Sequence, residues 1–404
     1  LANLSSSNHY DAIIIGGGIA GASIAYALSK RKIKTLLLER REDLSLEASG
    51  NPTGLIYPLL TKHQSIEGKF SLAAFKFVLK ELENLKESQK IIPIESSVFL
   101  IPKSELERDR YLGAISAYSL TKDELEFGYD SYSQREGFYF KKALAISPRH
   151  LSKALMDSSS NFTTCQTLTE YTGHEIKEEE IQVTANHTQF HSKLLFLCHS
   201  NSILDFPETS WLSIKKVRGQ LVWLPVSDEL KALPHSYLFG DYLTKDIGHG
   251  SVLGASFDEY KMDEDPRESE SLSFLKEASF VLPSLRTYLS QLGEKEITNL
   301  KTRVSFRSQS QDRRPIFGPL PNQKIFARDM PDLPGPSTRN KPAIPYHKNT
   351  FVLGALGSRG LTHSLHASEI LVRDALGESN LITEADYSDF KPERFLLRKW
   401  KRGN

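Results

Sequence analysis

DAIIIGGGIAGASIAYALSKRKIKTLLLE (residues 11–39) is the stretch from which the architecture follows. A β-branched run, Ile13 to Ile15, breaks into Gly16-Gly17-Gly18, passes into a helix-period segment and returns as a second apolar run, Ile33 to Leu38, that ends on Glu39. That order is strand, turn, helix, strand. Gly16 permits the tight turn off the first strand, Gly18 lets a pyrophosphate approach the backbone, and Gly21 lets the helix sit close to the strand. The phosphate charge then meets free N–H groups at the helix start. Glu39 is placed to accept hydrogen bonds from an adenosine ribose. Glycine turns are common, and an ordinary βαβ unit could carry one. A strand before it, a helix after it and an acid about 20 residues on mark a dinucleotide site.

The chain has 404 residues, 39% of them hydrophobic and 25% charged, with a mean hydropathy of -0.36. This is a soluble, globular composition with room for two or more domains. A formal net charge of +1 neither supports nor excludes a nucleic-acid partner. Only Cys165 and Cys198 occur, far apart, so neither a disulfide framework nor a zinc site is indicated, and a reducing cytoplasmic setting fits. No apolar run approaches the roughly 18 residues of a membrane span, and the opening LANLSSSNHY lacks the basic start and apolar core of a signal peptide. No membrane contact is expected. The chain begins without Met, and residues 1–8 read as a disordered leader.

Outward from the first motif, Ala48, Ser49, Gly50, Asn51, Thr53 and Gly54 form an irregular loop that can press its backbone against a ligand, or a plain surface loop. Residues 67–89 and 147–156 have helical spacing, the second with a Ser-Pro start. Residues 97–101 and 137–140 are strand-like and flank a charged stretch of a smaller module. CQTLTEYTGHEI, IQVTANHTQFHS and LLFLC suggest hairpin strands and one buried strand. Residues 215–225 read as a strand, 235–256 as two antiparallel strands, and 268–280 as a helix. The Pro-rich segment 330–345 reads as an exposed loop.

Arg303 and Arg307 lie four apart in one strand-like stretch and so point to one face if the strand is regular. Two buried guanidiniums call for a carboxylate or phosphate ligand, or for the chain's own acids. FVLGALGSRGLTHS then supplies a second strand, glycine turn and helix start, carrying Ser358 and Arg359. His363 and His366 sit on that helix without nearby acids, so they read as helix residues and no metal site is expected. The tail, 391–404, mixes Lys391, Arg394, Arg398, Lys399, Lys401 and Arg402 with Phe395 and Trp400. It suits RNA contact and equally a solvated terminal helix.

DAIIIGGGIAGASIAYAL, ASGNPTGLIYPLL, VRGQLVW, GASFDEYKMDEDPRE, RVSFRSQSQDRRPIFGPLPN, FVLGALGSRGLTHS and PERFLLRKWKR together resemble the glycine oxidase and D-amino-acid oxidase family of FAD enzymes. Within it, the chain looks like the FAD-dependent C-terminal half of the bifunctional tRNA 5-methylaminomethyl-2-thiouridine biosynthesis proteins. The resemblance implies an α/β (α+β) fold: a Rossmann-like FAD-binding domain, built discontinuously from 1–90, 141–215 and 301–404, and an antiparallel-sheet substrate domain from 91–140 and 216–300. It implies non-covalent FAD, since family members with a covalent flavin use a cysteine late in the chain. Gly16, Gly18, Ala20 and Gly21 would serve the pyrophosphate, Glu39 and Arg40 the adenosine side, Ala48, Ser49, Asn51 and Gly54 the ribityl and flavin, and Gly357, Ser358, Gly360, Leu361 and Thr362 the pyrimidine edge. The strand ending at Cys198 runs into His199-Ser200 where the family carries small residues and a glycine, which leaves the packing there open.

The same resemblance implies the chemistry. Arg307, with Arg303 or Arg359, would grip the carboxylate of 5-carboxymethylaminomethyl(-2-thio)uridine at the tRNA wobble position. Oxidation of the glycine C–H by FAD and hydrolysis would release glyoxylate and leave 5-aminomethyl(-2-thio)uridine, with oxygen as electron acceptor. No side-chain base stands out. The methyltransferase half that precedes this part in the bifunctional proteins is absent from the sequence, so a separate methyltransferase protein would complete the pathway if that step occurs. Two alternatives stay open: a small-molecule amine oxidase acting on glycine, sarcosine or a D-amino acid, and a non-catalytic flavoprotein that binds tRNA or a partner.

Overall fold

A computed structural model of the chain describes residues 8–87, 94–95, 97–177, 179–246, 250–295, 299–329 and 343–402. The leader expected at 1–8 and the loop expected at 330–345 lie almost wholly outside the described residues. The first sheet grows from the opening motif. Strand His9–Ile15 pairs in parallel with Thr35–Leu38 on one side and with Thr188–Leu197 on the other. Thr163–Gln166 extends the parallel run beyond Thr35–Leu38, and Tyr346–Gly354 extends it beyond Thr188–Leu197. Ile316–Pro321 closes that edge antiparallel. The first half of Thr188–Leu197 also carries the antiparallel strands Glu180–Ala185 and Tyr171–Lys177. The segment expected as a hairpin strand plus a buried strand is therefore one strand of ten residues.

Helices Ile19–Ser29, Ile66–Glu87, Pro148–Ser159 and Gly360–Ala375 pack on one face of this sheet. The first is buried at every position, as a helix wedged between a sheet and other helices must be. Ser147 caps Pro148–Ser159 by accepting from the His150 N–H. Across the helix layer, Ser23 and Ser364 hydroxyls meet at 3.2 Å, and Arg31 bridges to Glu369 at 2.8 Å and Glu378 at 2.7 Å.

The second sheet has eight strands, in the order Lys301–Ser310, Ile214–Leu224, Ser251–Gly254, Tyr242–Leu243, Ser236–Leu238, Val98–Leu100, Arg135–Phe140 and Glu126–Asp130. The described part of residues 235–256 thus holds three short strands rather than two. Helices Glu268–Val281 and Arg286–Lys295 cover one face around Val222, Leu224 and Leu253. Helix Glu105–Ala117, which apolar periodicity did not single out, covers the other through Tyr111 and Ala114. The boundary drawn at 301 needs correction: Lys301–Ser310 pairs along its whole length with Ile214–Leu224. A strand that carries Arg303 and Arg307 therefore belongs to the second sheet, and the chain crosses back to the first only after Ser310.

Candidate active site

The dinucleotide end is built from backbone. Gly16 has φ of +102°, and a Cβ there would lie 2.9 Å from the Cys198 carbonyl oxygen. A Cβ on Gly21 would lie 1.9 Å from the Gly16 carbonyl oxygen, so only glycine lets this helix approach its strand. A Cβ on Gly18 would meet nothing nearer than Ser49 Oγ at 3.4 Å; the demand for glycine there comes from the cleft side. The helix has no side-chain cap of its own and no acid in its first turn. Ser49 Oγ accepts from the Ile19 N–H at 3.1 Å. Glu39 is buried and held by the N–H groups of Gly17 at 2.6 Å and Arg41 at 2.8 Å, which aims its remaining lone pairs outward.

From this point a cleft of about 570 Å³ runs between the two sheets. Gly16, Gly18, Ala20, Glu39, Arg40, Ala48, Ser49, Asn51 and Gly54 line it, as do Gly357, Ser358, Gly360, Leu361 and Arg307. Gly21 does not reach the cleft, because its role is the helix–strand contact. Thr362 does not line it either: its hydroxyl donates to the Tyr57 carbonyl at 3.3 Å.

Five cleft-lining residues carry buried polar side-chain atoms without a hydrogen-bond partner among the described residues: Ser45 Oγ, Asn51 Oδ1, both ring nitrogens of His199, Asn201 Oδ1 and Ser308 Oγ. Such groups are costly to bury unless something meets them. A long polar ligand does so, and the set fits a dinucleotide cofactor. The backbone of His199 abuts Gly16, while its ring packs against Tyr171 and Phe206 at 5.6 and 5.5 Å. Burial, with Arg40 and His174 adding to it, pushes its pKa down to about 3, so the imidazole is neutral. A bulky residue is thus accommodated where small ones were expected.

Arg307 lines the same cleft from the second sheet. Its Nη1 donates to the Ser256 carbonyl at 3.0 Å, and its guanidinium lies flat against Gly219, where a Cβ would sit 2.7 Å from Cζ. No carboxylate lies within ion-pair distance of it among the described residues. Burial pulls its pKa down, and the phenol of Tyr242 only partly offsets this. A half-buried cation with no carboxylate beside it among the described residues can take an anion from a ligand.

The other two arginines are placed differently from expectation. Arg303 donates through Nη2 to the carbonyls of Leu46 and Glu47 at 2.7 and 2.6 Å, fastening the loop after Glu39 to the second sheet. Arg359 stacks on Tyr57, with Cζ 4.4 Å from the ring centre, and donates to its carbonyl and hydroxyl at 3.3 Å. Neither lines the cleft. Tyr57, Tyr242, Asn201 and Lys216 do and were not singled out, and His199, noted only for its bulk, lines it too. Tyr57 lies inside ASGNPTGLIYPLL, where its neighbourhood was the available signal; the others become visible only when the two sheets face each other.

The basic tail is partly engaged by the chain's own acids. Arg394 and Arg398 both pair with Asp312, at 3.0 and 2.6 Å, Lys391 pairs with Glu384 at 2.5 Å, and Phe395 is buried. Of the tail's six cations, Arg394 and Arg398 hold helix Glu393–Arg402 to the turn after Ser310, and Lys391 is engaged by Glu384. Among the described residues there is no helix long and apolar enough to cross a membrane and no cluster of acids, histidines or cysteines suited to a metal.

Residues 11–373 match the family described as DAO, FAD dependent oxidoreductase. The tRNA 5-methylaminomethyl-2-thiouridine biosynthesis bifunctional protein MnmC of Leptospira borgpetersenii serovar Hardjo-bovis (strain JB197) is 28% identical over 409 residues, covering 97% of this chain. The chain spans only 61% of that relative's length. Among solved structures, glycine oxidase from Bacillus cereus ATCC 14579 superposes with a TM-score of 0.72 at 18% identity, covering 92% of this chain and 96% of that one. Iminodiacetate oxidase from Chelativorans sp. BNC1 gives 0.71 at 16% identity, covering 95% and 100%. Both are likenesses of fold.

Proposed function

Because the chain belongs to the DAO family of FAD-dependent oxidoreductases, we propose that its cleft oxidises the secondary amine of 5-carboxymethylaminomethyl(-2-thio)uridine at the wobble position of tRNA. The observation that carries this is Arg307, a guanidinium with no carboxylate partner among the described residues, lining the same cleft as the dinucleotide motif. Its fork suits the carboxylate of an N-substituted glycine. The choice of a tRNA nucleoside over a free amino acid follows the similarity to MnmC over 97% of this chain.

Glu39 would hold the adenosine ribose, Gly16 to Gly18 and the helix start the pyrophosphate, and residues 48–54 and 357–361 the flavin half. Bound FAD supplies a two-electron acceptor, which molecular oxygen regenerates with peroxide as product. Cys198 is buried and its thiol is pushed well up by that burial, which accords with a non-covalent cofactor. Arg307 fixes the carboxylate, and with it the adjacent methylene, so positioning carries much of the rate. Tyr57, held by Arg359, and Tyr242 wall the space beside it and exclude water. Loss of the amine proton and of a hydride from the glycine methylene leaves a C=N bond. Water adds to that carbon, the C–N bond breaks, and glyoxylate and 5-aminomethyluridine result.

Replacing Arg307 with Ala should raise KM or lower kcat at least about 100-fold while the visible flavin spectrum is retained. Unchanged kinetics would remove Arg307 from the site. Peroxide formation from glycine or sarcosine at rates matching those with tRNA would instead favour a small-molecule amine oxidase, a reading the glycine oxidase fold keeps in view.

A further inference from the structure

Residues 255–267 join strand Ser251–Gly254 to helix Glu268–Val281 at the rim of the cleft, which Phe257 and Glu264 line. Within six residues this loop displays Phe257, Tyr260 and Met262, at 49%, 91% and 41% exposure. Large apolar side chains gathered on an exposed loop mark an interaction site more often than chance.

The loop is held from beneath. Arg218, wholly buried, donates to the Asp263 carbonyl at 3.0 Å, the Asp265 carbonyl at 2.8 Å and the Glu270 carboxylate at 3.1 Å. The backbones of Arg218 and Asp258 exchange hydrogen bonds of 2.9 and 3.0 Å. Gln220 clasps the backbone of Arg267 from both sides, each bond 2.7 Å. Asp258 Oδ1 accepts from the N–H groups of Tyr260 and Lys261 at 2.9 and 3.1 Å, closing the turn. Ordering costs are therefore met before any ligand arrives. The same bonds neutralise much of the loop's acidity: Asp258, Asp263 and Glu270 face Arg218 and Arg267, and Glu259 pairs with Lys215 at 2.9 Å.

We propose that this loop is a stacking lip for the unpaired nucleotides that flank the target uridine, with a base face on Tyr260, Met262 beside it, and phosphates toward Lys216 and Lys261. The proposal rests on the tRNA substrate proposed above. A uridine seated at the depth of Arg307 leaves its neighbours at the rim, where Phe257 belongs to both the cleft and the lip. Aromatic faces accept any base, so the lip recognises a single-stranded RNA loop rather than one sequence.

The test uses holoenzyme and two substrates, tRNA bearing the carboxymethylaminomethyl group and the free nucleoside 5-carboxymethylaminomethyluridine. Tyr260→Ala, alone and with Met262→Ala, should weaken tRNA binding by about tenfold or more while flavin reduction by the nucleoside is unchanged, and Tyr260→Trp should retain binding. Equal tRNA affinity in the variants, or equal losses with both substrates, would overturn the lip. A wild-type enzyme reduced by the nucleoside but without affinity for the tRNA would overturn it too and assign the aromatics to another partner. No reduction of the wild type by either substrate would instead sink the substrate reading beneath it.

Discussion

A single methyl group at Gly219 would reach the guanidinium of Arg307 before anything else, at 2.7 Å from Cζ. Gly219→Ala should therefore leave FAD binding and thermal stability near those of the parent and raise the substrate KM by about tenfold, because the flexible arginine gives way rather than the strand. Steady-state kinetics beside a melting curve check this. Gly21→Ala is the opposite case. Its Cβ would fall 1.9 Å from a backbone oxygen, so the helix must move off the strand. The expected loss is at least about 1–3 kcal/mol of stability together with weakened FAD retention, read by thermal melting and by flavin content after gel filtration. The Gly21 contact and the place of Glu39 at the strand end were legible because they follow from local spacing, and Arg307 was one of two guanidiniums that the spacing offered to the cleft. Arg303 was not, because strand alternation predicts a face, and a side chain this long can end on a neighbouring loop.

Helix Gly360–Ala375 shows what burial does to titration. His366 is 5% exposed and neither ring nitrogen has a partner among the described residues. Burial lowers its pKa from 6.5 to about 4. Its folded pKa lies below the unfolded one, so the unfolded chain takes up the proton first, and stability is lost as pH falls from about 6.5 toward 4. His366 alone should cost about 2 kcal/mol between pH 7.5 and pH 5. Denaturant titrations of His366→Leu at both pH values should show that part of the slope removed; an unchanged slope would mean the ring is solvated.

The terminal helix behaves differently. Burial raises the pKa of Asp312, but the Arg394 and Arg398 guanidiniums outweigh it and hold the carboxyl below the usual range. Its stabilisation persists above about pH 4 and is lost only at lower pH. Asp312→Asn strands the buried Arg394 and should cost about 3 kcal/mol at neutral pH, measured by denaturant unfolding. The helix itself was legible in the tail, but the sign of its role was not. Composition shows six cations, and only folding shows that Asp312 and Glu384 engage three of them.

At the scale of the molecule, a parallel sheet delivers a helix start and Glu39 to the cleft, and a long antiparallel pair delivers Arg307 to it from the second sheet. The first sheet was legible because βαβ periodicity is local. Membership of Lys301–Ser310 in the second sheet was not, since pairing between residues 78 (Trp223 with Lys301) to 96 (Ile214 with Ser310) positions apart leaves no trace in the periodicity of either strand. The cleft's polar lining, His199 and Asn201 among it, exists only once both sheets are in place. The central claim is that this cleft oxidises a tRNA nucleoside. The direct measurement is an anaerobic mixture of the purified holoenzyme with tRNA carrying the carboxymethylaminomethyl group, followed by flavin absorbance and mass analysis of the digested tRNA. The account predicts rapid bleaching with one aminomethyl uridine and one glyoxylate formed per flavin reduced. Flavin that stays oxidised with tRNA and bleaches with glycine or sarcosine would contradict it.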